Sequence, residues 1–476
     1  MWPVRLLIIF SRSAMLFNKK IDTFAVGENY IAYILLLRRL VAGEKVLLVD
    51  DDRINLGEVY LDWISSLEQN LLHLYGEVYD IGPLKDIDKF TTNRPATIVA
   101  GNRRLLLGTR PVSNLREIVR KFPHWLISPK TADLYASIMG QHDDANHWFN
   151  QLCNSYGLQV AKLLFDGADT GTVGFKQLYS ICPSQIRPFF DEFKRVVSSE
   201  LAQEKTEISS ILSMLGAIFH NRISLAMGDY QLFHIFLSLL LPHYQVDDKK
   251  LTDRLQKLFL ARGGLFKKTR VKEWIFHKKG PWAVELESYE GIVRPKDILI
   301  VGGAPGDSLF DVNIKSEVYR CFELNIKLKS SDAFTDLVGE RFIFSGPQMI
   351  GATIPYWDIK FEYGRIEGKV FFKGRDCLKE AFIKNFILKQ IYRDLANLIA
   401  FSEQDVEELD YSFGPEVILN AIYEDRSLDD GQRSEVSVLD IGNNALAGPL
   451  VNIKYVGPYN NRAVGLLSEL MAIKHL

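Results

Sequence analysis

Three residues near the start of the chain have the types and spacing of a phosphate-binding turn. Gly27, Asn29 and Ala32 occupy the three positions of a G-x-G-x-x-G pattern. An acidic residue, Asp50, follows Gly27 by 23 positions. In a dinucleotide site the first glycine forms a tight turn, the second lets a pyrophosphate approach a helix N-terminus, and the acid bonds the ribose. The spacing therefore predicts a dinucleotide site in which two of the three glycines are replaced.

The stretch around these residues predicts the elements that would position them. An apolar, β-prone run over Ile21–Val26 ends at Gly27, and apolar residues recur with helical spacing over Glu28–Leu40. Gly43 stands where a helix commonly ends, and Val46–Asp50 is a second β-prone run. This order predicts a strand–helix–strand unit. The alternative is an ordinary buried unit of the same kind that binds no nucleotide.

Two side chains conflict with phosphate binding in that turn. Asn29 places a side chain where the pyrophosphate would lie on the helix N-terminus. Glu28 adds a negative charge beside the same position. Ala32 is a milder change, because one methyl group still allows close packing. The sequence thus predicts that the layout of the site persists while its phosphate chemistry is altered.

Composition limits the class of protein. With 476 residues the chain is too long for one small core, so two interleaved domains are expected. Lys and Arg total 57 against 59 Asp and Glu, which gives no net field to attract nucleic acid or an anionic membrane. The cysteines form no C-x-x-C pattern, which indicates buried thiols in a reducing, cytoplasmic setting. They are Cys153, Cys182, Cys321 and Cys377.

Residues 1–14 are predicted to be an extension outside the fold. The apolar run Leu6–Phe10 is short for a signal sequence, and a weak membrane-surface anchor is the alternative. No segment reaches the roughly 18 apolar residues of a membrane helix. At most, peripheral membrane contact is expected.

Several other stretches have an alternative functional interpretation. Gln231–Leu241 is apolar nearly all round, which predicts a buried helix or, alternatively, a lipid-contacting surface. Tyr356–Trp357 and Phe361–Tyr363 could line a substrate cavity, but ordinary packing of strands is favoured. His142 and His147 have a spacing that puts them on different helix faces, so a solvated loop is expected there and no metal site.

Further along the chain, the elements alternate in type. A helix is predicted over Tyr60–Leu74, and a β-hairpin over Thr97–Val99 and Arg104–Leu107. The pattern is helical from Ser128 to Pro242 and returns to strands from Val271.

Four places along the chain carry a resemblance to a known family. They are the first strand–helix–strand unit with Asp50, the segment Asp52–Glu58, the block from Gly263 to Val271, and the end of the chain from Ile453 through Gly457 to a helix near Arg462. Together they resemble the flavoprotein superfamily of FAD-dependent amine oxidases, protoporphyrinogen oxidases and phytoene-desaturase-like enzymes. The resemblance covers most of the chain from about Ile21.

The resemblance implies a fold class and a division into segments. The implied class is α/β, with a Rossmann-like FAD/NAD(P)-binding domain built from discontinuous segments plus an inserted helical/mixed-sheet substrate domain. The Rossmann-like segments are residues 15–127, 243–310 and 441–476. A helical insertion spans residues 128–242, and a mixed-sheet substrate domain spans residues 311–440.

The resemblance also implies FAD as cofactor and a set of cofactor-binding residues. The residues that match the motif positions are Gly27, Asn29, Ala32, Asp50, Gly57, Val271 and Gly457. Three other positions depart from the family pattern: Leu56 replaces a glycine, Glu58 an arginine and Pro458 an acid. Glu58 reverses the charge that would pair with the pyrophosphate, so a weakened pyrophosphate site is expected.

Two functions of different class follow. One is an FAD-dependent oxidoreductase that acts on an apolar or amine-bearing small molecule, with the cofactor supplying the chemistry. The other is a flavin-free pseudo-enzyme that uses the scaffold to bind a protein or lipid partner, as Rab GDP-dissociation inhibitors use a similar fold. The preserved strand–helix–strand layout favours the oxidoreductase, and the altered residues at the pyrophosphate position favour the flavin-free pseudo-enzyme. The sequence indicates no particular catalytic residue.

Overall fold

The computed structural model describes most of the chain in separate stretches. These are residues 20–51, 63–92, 94–100, 103–121, 128–140, 143–167, 171–202, 228–277, 280–287, 292–301, 314–330, 339–345, 348–349, 352–353, 356–372, 387–399, 401–423 and 453–456, with residues 211, 215, 332, 334–337, 466, 467, 470, 471 and 473. All structural statements below concern these residues.

The first strand–helix–strand unit follows the sequence prediction closely. Strand β1 (Lys20–Val26) leads into helix α1 (Tyr30–Val41), and strand β2 (Val46–Asp50) follows. After α1, Gly43 adopts a φ of +83°, and its N–H donates to the Leu40 carbonyl at 2.9 Å. A left-handed residue at this place ends the helix with little strain only when it is glycine. The predicted unit and its helix end are therefore confirmed.

The sheet to which this unit belongs has seven strands, of which five are parallel. Besides β1 and β2 it contains β8 (Leu265–Lys268), β11 (Ile292–Val301) and β19 (Ile453–Val456). Their order is β8–β2–β1–β11–β19, and each neighbouring pair is parallel. Taken in chain order this is the 3-2-1-4-5 arrangement of a Rossmann-like sheet. The predicted fold class is confirmed, with strand order reversing between β1 and β11.

An antiparallel hairpin connects the third and fourth strands of this sheet. Strands β9 (Val271–His277) and β10 (Gly280–Leu286) pair with one another, and β10 then pairs with the first residues of β11. The crossover from β8 to β11 is thus built from strands. It starts at Val271, directly beside the end of β2.

A second, mixed sheet contains seven strands. In sheet order they are β18 (Val406–Tyr423), β12 (Ile314–Leu328), β17 (Arg365–Phe372), β16 (Tyr356–Glu362), β13 (Arg341–Ser345), β5 (Ala96–Ala100) and β6 (Arg103–Leu107). Helix α11 (Leu388–Leu398) contributes buried residues to the same apolar core. Trp357 stacks on Phe344 across two strands, with ring centroids 4.2 Å apart. This stacking supports the packing interpretation of the aromatic stretch.

One local prediction is confirmed in an unexpected sheet, and another needs correction. The hairpin predicted within residues 15–127 does form as β5 and β6, but β5 pairs with β13, which places it in the second sheet. A local turn signal predicts a hairpin and says nothing about the sheet that it joins. The helix predicted over Tyr60–Leu74 begins later, as α2 (Ser66–Val78). It is preceded by β3 (Trp63–Ser65), which pairs with β7 (His243–Val246).

Helices occupy most of the described chain between β6 and β7. They are α4 (Pro111–Lys121), α5 (Pro129–Met139), α6 (Asp143–Asp166), α7 (Gly171–Ile181), α8 (Arg187–Ala202) and α9 (Asp229–Leu240). Nearly every side chain of α9 is buried, which confirms the buried-helix interpretation of that apolar stretch. No helix in the described part of the chain is both long and apolar enough to cross a membrane.

The remaining short elements complete the architecture. They are α3 (Gly82–Lys85), β4 (Thr91–Thr92), α10 (Asp248–Ala261), β14 (Gln348–Met349) and β15 (Ala352–Thr353). Strands β3, β7 and β4 form a small antiparallel sheet. Helix α10 packs against α1 and leads directly into β8, the strand that pairs with β2.

Candidate functional site

The turn after β1 requires glycine for two reasons. Gly27 adopts a φ of +106°, a backbone angle that residues other than glycine rarely adopt. A Cβ atom on Gly27 would also lie 2.0 Å from the carbonyl oxygen of Val301, the last residue of β11. The chain therefore turns in direct contact with the neighbouring strand end. This is the place where strand order reverses, and such places form ligand crevices in parallel sheets.

Asn29 caps the helix that follows. Its backbone is extended, and its side-chain oxygen accepts a hydrogen bond from the Ala32 N–H at 2.8 Å. Ala32 itself is fully buried. A helix N-terminus attracts anions because its first N–H groups have no partner within the helix. In this chain the Asn29 side chain already accepts a hydrogen bond from one of these N–H groups.

Glu28 lies beside the same helix end and is held from two helices. Its Oε1 accepts a hydrogen bond from the Tyr33 hydroxyl at 2.6 Å, and another from the Gln256 amide on α10 at 3.0 Å. The side chain is half-buried. Burial raises the pKa of the Glu28 carboxyl, the Tyr33 hydrogen bond lowers it, and the charge of Asp50 raises it further. Burial also raises the pKa of Tyr33, which stays a hydrogen-bond donor.

Asp50 lies at the end of β2, next to the end of β8. Its side chain is 12% exposed, and its carboxylate is 3.8 Å from the ammonium group of Lys268, which is 82% exposed. An ion pair with so exposed a partner contributes little stability. The Asp50 carbonyl also accepts a hydrogen bond from the Thr269 N–H at 3.0 Å. Position and partial exposure both suit contact with a ribose.

Asp51 holds the segment that leads into β9, a role that sequence reasoning missed. It is fully buried, and its Oδ2 accepts a hydrogen bond from the Val271 N–H at 2.9 Å. Val271 is 4% exposed. The only signal in the sequence was the run Asp50–Asp52, which does not indicate which carboxylate points inward. Tyr33 and Gln256 were missed for the same reason, because their roles depend on where Glu28 points.

The structure brings together five of the seven candidate site residues. Gly27, Asn29 and Ala32 form the turn and first helical turn, Asp50 ends the adjacent strand, and Asp51 ties Val271 to that strand. Gly57 and Gly457 lie outside the described residues, as do the departures at Leu56, Glu58 and Pro458.

Metal binding has no visible basis in the described part of the chain. No group of three or more His, Cys, Asp or Glu side chains comes together there. His147 is exposed and forms a hydrogen bond with Gln151 at 2.8 Å, while His142 lies outside the described residues.

Comparisons with known proteins give no sequence relative and several weak structural likenesses. No protein-family model matches the chain, and no curated protein matches it. A glycerol-3-phosphate dehydrogenase from Bacillus halodurans complexed with FAD is similar, with 10% identity and a TM-score of 0.43. That similarity covers 96% of this chain and 64% of the dehydrogenase, so this chain spans less than two thirds of its length.

Two other solved structures are similar over most of their length. An oxidoreductase from Methanosarcina mazei has 9% identity and a TM-score of 0.43, covering 96% of this chain and 99% of that chain. A Rab GDI from Plasmodium falciparum has 11% identity and a TM-score of 0.40, covering 84% and 90%. Since these likenesses are weak, the fold assignment rests on the strand order described above.

Proposed function

We propose that this protein is an FAD-dependent oxidoreductase of the amine oxidase or phytoene desaturase type, acting on an apolar or amine-bearing substrate. The observation that carries the proposal is the position of Gly27 and Asp50 at adjacent parallel strand ends, where strand order reverses. That crevice is where dinucleotides bind in Rossmann-like sheets. Asp51 supports it by fixing Val271 beside the end of β2.

The residues of this site fit the two halves of FAD unequally. For the adenosine half, the partly exposed carboxylate of Asp50 is suited to bond ribose hydroxyls, and Val271 offers an apolar contact. For the pyrophosphate, the Asn29 cap and the Glu28 carboxylate occupy the helix end. The Asn29 amide would have to donate to a phosphate oxygen through its NH₂ group. The proposed site is therefore weakened at the pyrophosphate.

The protein's part in the chemistry is to bind and orient. Bound FAD would accept hydride from the substrate. Gly27, Asn29, Ala32 and Asp50 would hold its nucleotide end, with Gly57, Val271 and Gly457 as the other proposed contacts. A cytoplasmic location belongs to the same proposal, because Cys153 and Cys182 are buried free thiols.

An absorbance spectrum of the purified native protein tests the proposal. We expect bands near about 375 and 450 nm, with close to one flavin released per chain on denaturation. If the protein is purified without flavin, FAD titration should show saturable binding. Asp50→Ala should then weaken it about tenfold or more, because a charge-assisted hydrogen bond is lost. Absence of both flavin and saturable binding would contradict the proposal.

A second function is favoured by the contacts of Glu28 and Asn29. Asn29 accepts a hydrogen bond from one helix-end N–H group that a bound phosphate would otherwise use, and Glu28 is held beside that end by the Tyr33 hydroxyl. We propose as the alternative a flavin-free pseudo-enzyme that binds a protein or lipid partner through the same scaffold. The titration separates the two functions, since this alternative expects a folded protein without FAD affinity.

A further inference from the structure

We propose that Glu28 couples dinucleotide binding to the uptake of a proton, so that the turn after β1 accepts a pyrophosphate only when the Glu28 carboxyl is neutral. This inference rests on the proposed FAD binding and names the residue that controls it. It makes Glu28 a specificity-determining residue of the site.

The contacts of Glu28 explain why it cannot simply move away from a ligand. The Tyr33 hydroxyl and the Gln256 amide both donate to the same carboxylate oxygen, at 2.6 and 3.0 Å. These donors lie on two packed helices, α1 and α10, and Tyr33 is fully buried against Phe259. The carboxylate is thus fixed beside the N-terminus of α1. A side chain held from two elements keeps its charge where it is.

The charges that face Glu28 disfavour a second anion. Asp50 on β2 and Asp253 on α10 are negative, and Lys268 on β8 is the cation. The ammonium group of Lys268 is already 3.8 Å from the Asp50 carboxylate and is largely exposed. Tyr33 stays protonated, because burial and the Glu28 contact raise its pKa. The negative charge at this turn is therefore reduced most directly by protonation of Glu28 itself, given the described residues that face it.

Protonation leaves the hydrogen bonds of Glu28 available. A neutral carboxyl still has oxygen lone pairs for Tyr33 and Gln256, and it gains one O–H donor that a phosphate oxygen can accept. In the binding equilibrium, protein with an ionised Glu28 takes up one proton and one FAD, and the product is a complex in which Glu28 is neutral. The two phosphates of FAD keep their charges throughout. Burial already raises the pKa of Glu28, which places the proton exchange closer to neutral pH.

The direction of the pH effect follows by linkage. If the complex holds one more proton than the free protein, affinity falls as pH rises. The fall is roughly tenfold per pH unit wherever Glu28 is ionised in the free protein and neutral in the complex. Glu28→Gln is neutral at every pH and keeps an oxygen that accepts from Tyr33 and Gln256. It should therefore bind FAD with an affinity that does not depend on pH.

The test is calorimetric titration of FAD into the full-length protein at pH 5.5, 7.0 and 8.5. Each titration is run in two buffers of different ionisation enthalpy, so that proton uptake is measured directly. The variants are Glu28→Gln and, as a matched control, Asp253→Asn, which removes an exposed carboxylate from the same neighbourhood. Wild type and Asp253→Asn should lose at least tenfold in affinity from pH 5.5 to 8.5 and take up protons. Glu28→Gln should do neither and should bind more tightly at pH 8.5.

The outcomes separate the inference from the function on which it rests. FAD binding by wild type with no pH dependence, or by Glu28→Gln with wild-type pH dependence, overturns the inference and leaves the proposed function standing. Binding by Glu28→Gln alone supports the inference, because it shows that the carboxylate blocks the site. No binding by any folded variant at any pH overturns both.

Discussion

Gly27 is subject to two separate constraints, and a second glycine in the same unit allows them to be measured apart. Gly27 and Gly43 both have positive φ, but only Gly27 would bring a Cβ against the backbone, at 2.0 Å from the Val301 oxygen. Gly43→Ala should lower the free energy of unfolding by about 1–2 kcal/mol, the cost of left-handed backbone. Gly27→Ala should cost about 3 kcal/mol or more, since strand β11 must also shift.

Urea unfolding of both variants checks this expectation. Equal midpoints for Gly27→Ala and Gly43→Ala would show that β1 and β11 do not approach as closely as described. The comparison concerns stability, because a loss of FAD affinity in Gly27→Ala alone would not show whether β1 and β11 approach closely.

At the residue scale, sequence spacing indicates candidate residues within one short stretch, and contacts between distant stretches leave no such pattern. Gly27, Asn29 and Asp50 were identified from their distances along a short stretch of chain. Asp51 was not, because its role depends on the Val271 N–H, which lies 220 residues away in sequence. The partner of Glu28 on α10 is 228 residues away, and no sequence pattern links the two.

At the scale of secondary-structure elements, those marked by a local sequence pattern could also be predicted, and those that form by pairing with a distant segment could not. β1, α1 and β2 could be predicted because apolar runs and two glycines mark their ends. β3 could not, because its three residues become a strand only by pairing with β7. The strand order that defines the sheet also follows from pairing, so the sequence indicated it only through a resemblance.

A buried histidine at the start of β7, in the small sheet of β3, β7 and β4, makes the stability of the protein depend on pH. His243 is 2% exposed and stacks on Trp63 with ring centroids 4.7 Å apart. Burial lowers its pKa to about 3, from an ordinary value of 6.5. The folded protein therefore keeps the ring neutral while the unfolded chain binds a proton below pH 6.5. Stability is retained above that pH and is lost as pH falls.

Replacing this histidine should remove its share of the acid sensitivity. His243→Phe keeps a ring against Trp63 and cannot titrate. Between pH 6 and 4.5 wild type should lose up to about 1.4 kcal/mol per pH unit more than His243→Phe. His73→Gln, at an exposed position, should keep the wild-type slope. Identical slopes for wild type and His243→Phe in urea unfolding would argue that His243 is solvated.

At the scale of the whole molecule, the last part of the chain lies against the first. Strand β19 pairs with β11, and the Leu470 carbonyl accepts a hydrogen bond from the Tyr75 hydroxyl on α2 at 2.6 Å. The Ile473 carbonyl accepts another from Arg38 on α1. These two hydrogen bonds join residues that are 395 and 435 positions apart in the sequence. The discontinuous build of the Rossmann-like unit is a property that a single stretch of sequence cannot reveal.

The bond between Tyr75 and Leu470 offers a direct test of this closure. Tyr75 is 1% exposed, so Tyr75→Phe leaves the Leu470 carbonyl without its donor in a buried place while the ring packing is retained. The free energy of unfolding should fall by about 1–3 kcal/mol. Tyr363→Phe removes the same hydroxyl from a side chain that is 67% exposed and should change stability by less than about 0.5 kcal/mol. Equal urea midpoints for the two variants would mean that the end of the chain does not lie against α2. A loss confined to Tyr75→Phe, with the denaturant slope unchanged, is expected if the first and last segments unfold together.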